Sequence, residues 1–228
     1  MPWADETDLT VLWFNSLSTN RIAPDRLERA LRKTGADIVV FVEALPALGM
    51  RERLADLYPH AVGCRTRADC AMLVLSRLEP QDVRTRRVSG SAERLVRFAV
   101  SPEGHPPVAV LATHLIKPWY LSIAAEETTV ATRMLEREPS GPLVVMGDFN
   151  AAPWSRRVRE LEIAHDLRHP PRPVGTWPAA LGALGVPIDH MLVRGGVRFA
   201  WQEPWGDALG SNHRGLLAGI ALPDPPRD

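Results

Sequence analysis

The apolar run Leu143-Val144-Val145-Met146, followed at once by Gly147-Asp148-Phe149-Asn150, constrains this chain more than any other segment. A buried strand there delivers a carboxylate and a carboxamide to its carboxyl end, two residues apart. Alternate residues of an extended chain point the same way, so Asp148 and Asn150 face one site. Folding does not ask for that. An unpaired carboxylate at the edge of an apolar core is costly, and it persists where it has a partner or a task. The competing reading is an Asx turn that ends the strand, because Asp and Asn favour such turns.

Other segments repeat the design. Val11-Leu12-Trp13-Phe14 ends in Asn15, and Ile38-Val39-Val40-Phe41-Val42 ends in Glu43. Val108-Ala109-Val110-Leu111-Ala112 runs into Thr113-His114. Ile188 leads to Asp189-His190 and then Met191-Leu192-Val193. Gly210-Ser211-Asn212-His213 precedes Leu216-Leu217-Ala218. Carboxylates, carboxamides and imidazoles therefore gather at the mouths of buried strands. That is the inventory of a metal-assisted phosphoryl-transfer site: hard oxygen ligands, amide donors and acid–base groups.

With these pieces in order, the chain resembles the endonuclease/exonuclease/phosphatase superfamily, whose members are similar to DNase I. The pieces are Asn15, the strand ending in Glu43, Ser76-Arg77, Thr113-His114-Leu115, Gly147-Asp148-Phe149-Asn150, Ile188-Asp189-His190 and Ser211-Asn212-His213. Thr176-Trp177-Pro178 also fits one bacterial branch. Seven pieces in order carry far more weight than any one of them. The resemblance implies a DNase I-like four-layer α/β (α+β) sandwich: two mixed, mainly antiparallel sheets face to face, helices outside. The residues alone reach only α/β or α+β.

The resemblance also implies a Mg²⁺- or Mn²⁺-dependent phosphoesterase. Glu43 would be the metal ligand, since a Glu behind five apolar residues is not solvated like a surface Glu; its bland reading is a strand-end salt bridge. Asn15 and Asn212 would sit at the metal, Asn15 by holding its water or a carboxylate ligand. Asp148 would orient or deprotonate the attacking water, and Asn150 would hold a phosphate oxygen or the nucleophile. Asp189 would orient His213 and favour its protonated form. His114 would be a second imidazole on the transferring phosphoryl group. His60, His105, His165, His169 and His190 are expected to be structural, with His190 facing away from Asp189.

One departure matters. The family usually ends Ser-Asp-His, whereas this chain has Ser211-Asn212-His213. An amide keeps an oxygen ligand but drops the charge, so metal affinity should fall. The rival reading is therefore a binding protein that keeps the fold with reduced chemistry.

Composition narrows the partners. The chain has 228 residues, 45% of them apolar, and formal net charge zero. It is expected to be one domain over 1–228, with a core of about 8–222 and a tail at 223–228. A monomer is expected. Zero net charge is no nucleic-acid signature, so the phosphate-ester substrate stays open among a small ester, nucleic acid and a phospholipid head group. A nuclease would show salt-sensitive basic grooves. A phospholipid esterase would need an exposed apolar hairpin, and none stands out. No apolar run approaches the length that spans a bilayer, and the acidic start lacks signal-peptide features. The chain as written reads as cytoplasmic, although related bacterial proteins often carry membrane segments ahead of this domain. Cys64 and Cys70 could pair in an oxidising compartment, and two cysteines argue against a Cys-ligated zinc site.

Pattern predicts helices over Pro24–Leu31, Met50–Leu57, about Ser122–Glu138 with Ile123, Val130, Met134 and Leu135 inward, and from a Ser155 cap through Leu161. Strand–helix–strand thus occurs twice, ending in Asn15 and Glu43, then in His114 and Asp148, as two halves facing a shared cleft. Arg84, Arg86, Arg87 and Arg94 around Ser89-Gly90-Ser91 suit a phosphate rim or a solvated loop equally. Trp119, Tyr120, Trp201 and Trp205 suit either a cleft mouth or core packing.

Overall fold

The computed structural model describes residues 2–88 and 92–225, so the predicted turn at Ser89-Gly90-Ser91 lies outside the described residues. Among the described residues, eleven strands form two sheets. The first holds β1 (Leu9–Asn15), β2 (Ile38–Val42), β3 (His60–Gly63), β4 (Met72–Ser76), β10 (Arg198–Trp205) and β11 (Gly215–Ala221), in the order β10-β11-β1-β2-β4-β3. The second holds β5 (Gln81–Val88), β6 (Ala92–Val100), β7 (Val108–His114), β8 (Leu143–Asp148) and β9 (Asp189–Arg194), in that order. Both are mixed. β1 and β2 are parallel across helix α1 (Pro24–Leu31), β7 and β8 are parallel across helix α3 (Leu121–Glu136), and the other pairs are antiparallel.

Alternation builds the layers. In β1, Val11 and Trp13 enter the core between the sheets, while Leu12 and Phe14 face α1 on the other side. In β8, Val144 and Met146 enter the same central core, while Leu143 and Val145 pack on the residues of α3 and α4 (Arg156–His165). Strands such as β1 and β8 are apolar on both faces because each lies between the central core and a helix layer. The result is helix, sheet, sheet, helix, the DNase I-like sandwich.

Two helices differ from their pattern. α2 covers only Met50–Arg53. Leu54 leaves helical backbone, and Pro59 disfavours helix at Tyr58, so the chain turns there. α3 is rotated from the expected face: its buried stripe is Ala124, Glu127, Ala131, Met134 and Leu135, with Ile123 and Val130 only half-buried. The inward Glu127 sets that rotation, because a fully buried carboxylate must turn toward its partners. α4 begins as expected, with the Ser155 hydroxyl accepting from Val158 N–H. Trp201 and Trp205 pack on the helix-side core of the first sheet, with Trp205 edge-on to Phe14. Arg84, Arg86 and Arg87 lie exposed on edge strand β5. Ser76-Arg77 lies at the other end of the sheet from Asn15, where Arg77 pairs with Asp37 at 3.3 Å. Cys64 and Cys70 are joined by a disulfide. Among the described residues, no helix is long and apolar enough to cross a membrane.

Candidate active site at the strand ends

The residues that alternate with the central core carry the site. Val11 and Trp13 lead to Asn15 on the same face; Val110 and Ala112 lead to His114; Val144 and Met146 lead to Asp148; Val193 and Met191 lead back to Asp189. Period two therefore aims all four polar side chains into the gap between the sheets at one end. Register then brings them together. His114 pairs with Asp148 across β7 and β8, and Asp148 pairs with Asp189 across β8 and β9. Gly147 permits this approach: a Cβ there would stand 2.5 Å from the Thr113 carbonyl oxygen. His190, of opposite parity, faces outward, with Nε2 on the Ala151 carbonyl at 2.7 Å and Nδ1 on His169 at 2.9 Å.

Two further groups stand just beyond strand ends in left-handed backbone, Glu43 at φ 47° and Asn150 at φ 47°. Asn tolerates that conformation. For Glu it is uncommon, and such residues collect at functional sites. Glu43 is fixed at both ends: its carbonyl accepts from Ser16 Oγ at 2.9 Å and its Oε2 accepts from Ser18 N–H at 2.9 Å. Asn150 donates its backbone N–H to Asp148 Oδ1 at 2.8 Å and its Nδ2 to the Leu115 carbonyl at 2.8 Å. The Asx turn weighed as a rival to function is thus present, and it serves to hold Asp148.

Asp148 Oδ2 is the hub. Asn15 Nδ2 donates to it at 3.0 Å, and the Nε2 atoms of His114 and His213 stand 3.7 and 3.9 Å away. Asn15 turns its amide N–H toward the carboxylates, while its own oxygen accepts from Leu17 N–H at 3.1 Å. Behind His213, Asp189 Oδ2 meets Nδ1 at 2.8 Å. The other oxygen of Asp189 accepts from the Trp13 indole N–H at 2.9 Å, and its backbone N–H donates to Thr176 Oγ1 at 3.1 Å. Ser211 accepts from His213 N–H at 3.0 Å and donates to the Asn15 carbonyl at 2.7 Å, tying the last loop to β1. Asn212 is exposed at the rim.

Trp13 and Thr176 were missing from the sequence reading of the site. Trp13 carried a signal: it lies two residues before Asn15, and a buried indole N–H needs an acceptor.

The titration of these groups diverges. Burial, reinforced by the Asp189 charge, pushes Asp148 up to about 7. Burial opposes the charged form of His213, but the Asp189 carboxylate outweighs it and holds the ring at about 9. Burial and the Arg94 charge push His114 down to about 3. Burial also opposes the Glu43 carboxylate, but the Ser18 N–H, the neighbouring His114 and the Ser18 and Asn15 side chains together outweigh it, so Glu43 sits below its usual range. Groups pushed apart in this way are how one site holds both an acid and a base at neutral pH.

These residues line a cavity of about 320 Å³, within small-ligand size. Asp148, Asn150, His114, His213 and Glu43 line it together with Lys117, Trp119, Trp177 and Ile188. Trp119 and Trp177 are substantially exposed. The cavity offers hard oxygen donors to a divalent cation: Glu43 and Asp148 both line it, Asp148 and Asp189 belong to a cluster of candidate ligand atoms within 4.8 Å of one another, and a carboxylate raised to about 7 mainly by burial is one that a cation would relieve.

The endonuclease/exonuclease/phosphatase family model matches residues 12–213. Among solved structures, an endonuclease/exonuclease/phosphatase from Beutenbergia cavernae is 19% identical with TM-score 0.76, covering 95% of this chain and 72% of that one. Zebrafish (D. rerio) TDP2 complexed with single-strand DNA product is 14% identical with TM-score 0.75, covering 94% and 99%. Staphylococcus aureus beta toxin with bound magnesium ions is 14% identical with TM-score 0.68, covering 93% and 99%. At these identities the likeness is one of fold. No curated protein sequence matches.

Proposed function

The chain belongs to the endonuclease/exonuclease/phosphatase family, and on that premise we propose that it is a divalent-metal-dependent phosphodiesterase that cleaves its ester by in-line attack of water. The observation that carries this reading is the convergence on Asp148 Oδ2 of Asn15 Nδ2 and the Nε2 atoms of His114 and His213, within 3.9 Å. A phosphate seated above that oxygen meets an acceptor for the attacking water's proton and two imidazoles for its own oxygens.

The roles follow from geometry and charge. Asp148, held by Asn15 and by Asn150 N–H, aligns the water and accepts its proton. Asp189 binds Nδ1 of His213 and keeps the ring protonated, so that Nε2 presents a charged donor to the phosphoryl oxygens as negative charge develops. His114 is neutral and contributes a hydrogen bond rather than a charge. Asn150, anchored on the Leu115 carbonyl, positions the nucleophile or a phosphate oxygen. Glu43 would hold Mg²⁺ or Mn²⁺, with Asn15 steadying the carboxylates around it. When bound, the ion supplies Lewis-acid polarisation of a phosphate oxygen.

A neighbour of this fold binds single-strand DNA product and another binds magnesium ions; both support the substrate bond and ion class of this proposal. The test is hydrolysis of bis(p-nitrophenyl) phosphate and of plasmid DNA with Mg²⁺ or Mn²⁺, beside Asp148→Ala and an EDTA control. Metal-dependent turnover that vanishes in the variant is the expected result. Absence of turnover on both substrates would favour the binding-protein alternative that Asn212 suggests.

A further inference from the structure

A second cavity, of about 260 Å³, opens on the far side of Glu43 and His114, which wall both spaces. Its cation is Arg94. The β6–β7 register pairs Leu95 with Thr113, so the next pair along is Arg94 with His114. Cross-strand partners share a face, and Arg94 therefore stands beside His114 at the mouth of the cleft.

Arg94 is held from behind. Its Nε lies 2.5 Å from Oε1 of Glu127, which is fully buried on α3. The contact is ionic, without the alignment of a hydrogen bond. The other Glu127 oxygen accepts from Ile116 N–H, in the segment just after His114. One carboxylate thus ties together β6, α3 and the loop that follows His114. A charged group at the centre of an apolar helix face is expensive, and here it fixes the Nε side of one guanidinium. The planar fork of an arginine suits phosphate oxygens two at a time. Glu93 also lines this space, and its carboxylate accepts from the Thr85 hydroxyl at 3.3 Å.

We infer that the Arg94 cavity is a subsite for a second anionic group of the substrate, so that the enzyme prefers phosphate esters carrying another phosphate beyond the one it cleaves. The inference rests on the phosphodiesterase reading for the place of the scissile phosphate, between His114 and His213. From there, one ester arm runs toward Trp119 and Trp177, and the other passes Glu43 into the Arg94 cavity.

The test compares thymidine 3′,5′-bisphosphate with thymidine 5′-monophosphate by isothermal titration in Mg²⁺. Arg94→Gln alone would strand the buried Glu127 carboxylate, so the variants are Arg94→Lys and the double variant Arg94→Gln/Glu127→Gln, each checked for folding by circular dichroism. The wild type should bind the bisphosphate about tenfold more tightly or better. The double variant should lose that ratio, and Arg94→Lys should retain only part of it, since lysine keeps the charge and loses the fork. Equal or undetectable binding of both ligands by the wild type would overturn the inference, as would a wild-type ratio in the double variant. Hydrolysis of bis(p-nitrophenyl) phosphate in parallel separates the two readings. A bisphosphate preference without turnover sinks the phosphodiesterase and leaves the subsite; turnover without preference does the reverse.

Discussion

Nδ1 of His213 and Oδ2 of Asp189 lie 2.8 Å apart in a buried pair, and the second Asp189 oxygen is taken by Trp13 from the opposite sheet. The pair thus spans the sandwich: the imidazole comes from the loop before β11, its carboxylate from β9, and the indole from β1. Removing the carboxylate's charge should be felt both in rate and in the pH at which the rate falls.

Asp189→Asn keeps the shape and drops the charge. His213, held at about 9 by Asp189 against the opposing effect of burial, should titrate far lower. On the proposed mechanism the protonated ring is the active form, so the wild-type rate should fall as pH rises through about 9. In the variant that alkaline limb should move down by more than one pH unit, and kcat/KM at neutral pH should drop on the order of 10²- to 10⁴-fold. A pH–rate profile of both proteins checks this; an unmoved limb would remove His213 from the role.

Glu43→Gln keeps the side chain's volume and its acceptor for Ser18 N–H. The Mg²⁺ concentration needed for half-maximal rate should rise roughly 10- to 100-fold. Mn²⁺ binding followed by electron paramagnetic resonance gives the same answer without turnover, and unchanged binding would show that the ion is held elsewhere.

Asn212→Asp restores a carboxylate at the exposed rim of the cavity. The added charge should lower the half-saturating Mg²⁺ concentration several-fold. If the metal titration is indifferent to this change, position 212 lies outside the reach of the ion.

Gly147→Ala tests the close approach of β7 and β8. The new Cβ would meet the Thr113 carbonyl at 2.5 Å and the Phe149 ring at 2.7 Å, and neither can withdraw without moving His114 or Asp148. Urea unfolding should show a loss of about 1–3 kcal/mol, with activity reduced as well.

His190 predicts a loss of stability in acid. Burial, with the neighbouring His169, pushes its pKa down to about 4 from a usual 6.5. The folded state therefore keeps a neutral ring where the unfolded chain takes up a proton. That contribution is complete above about pH 6.5, declines as pH falls, and levels off below about 4, for a total of roughly 3 kcal/mol. His190→Gln, which keeps a donor for the Ala151 carbonyl, should flatten the decline of the urea midpoint between pH 6.5 and 4. A decline of wild-type steepness in the variant would assign the acid sensitivity to other groups.

Much of this was legible in one dimension. The strand-end placement of Asn15, Glu43, His114, Asp148, Asn150 and Asp189 follows from apolar runs that stop at polar residues, and period two assigns the face. The same alternation turns His190 away. α1 and the Ser155 cap of α4 were readable because their signals, Pro at the first turn and a hydroxyl before it, act within a few residues. α3 was misread in rotation because Glu127 looks like a solvent-facing residue until Arg94 and Ile116 N–H come to it from elsewhere in the chain. Trp201 and Trp205 could equally have lined the cleft until β10 paired with β11 and turned them onto the helix-side core.

The chain by itself determined which groups stand at which strand ends, because side-chain alternation and local turn chemistry are properties of neighbouring residues. Only the tertiary structure decided who meets whom: that Asp148 faces both His114 and His213, that Trp13 reaches Asp189 across the sandwich, and that a buried Glu127 aims Arg94 beside His114. Those pairings join residues up to 176 positions apart. They depend on strand order, register and the packing of two sheets, which no short stretch of sequence encodes.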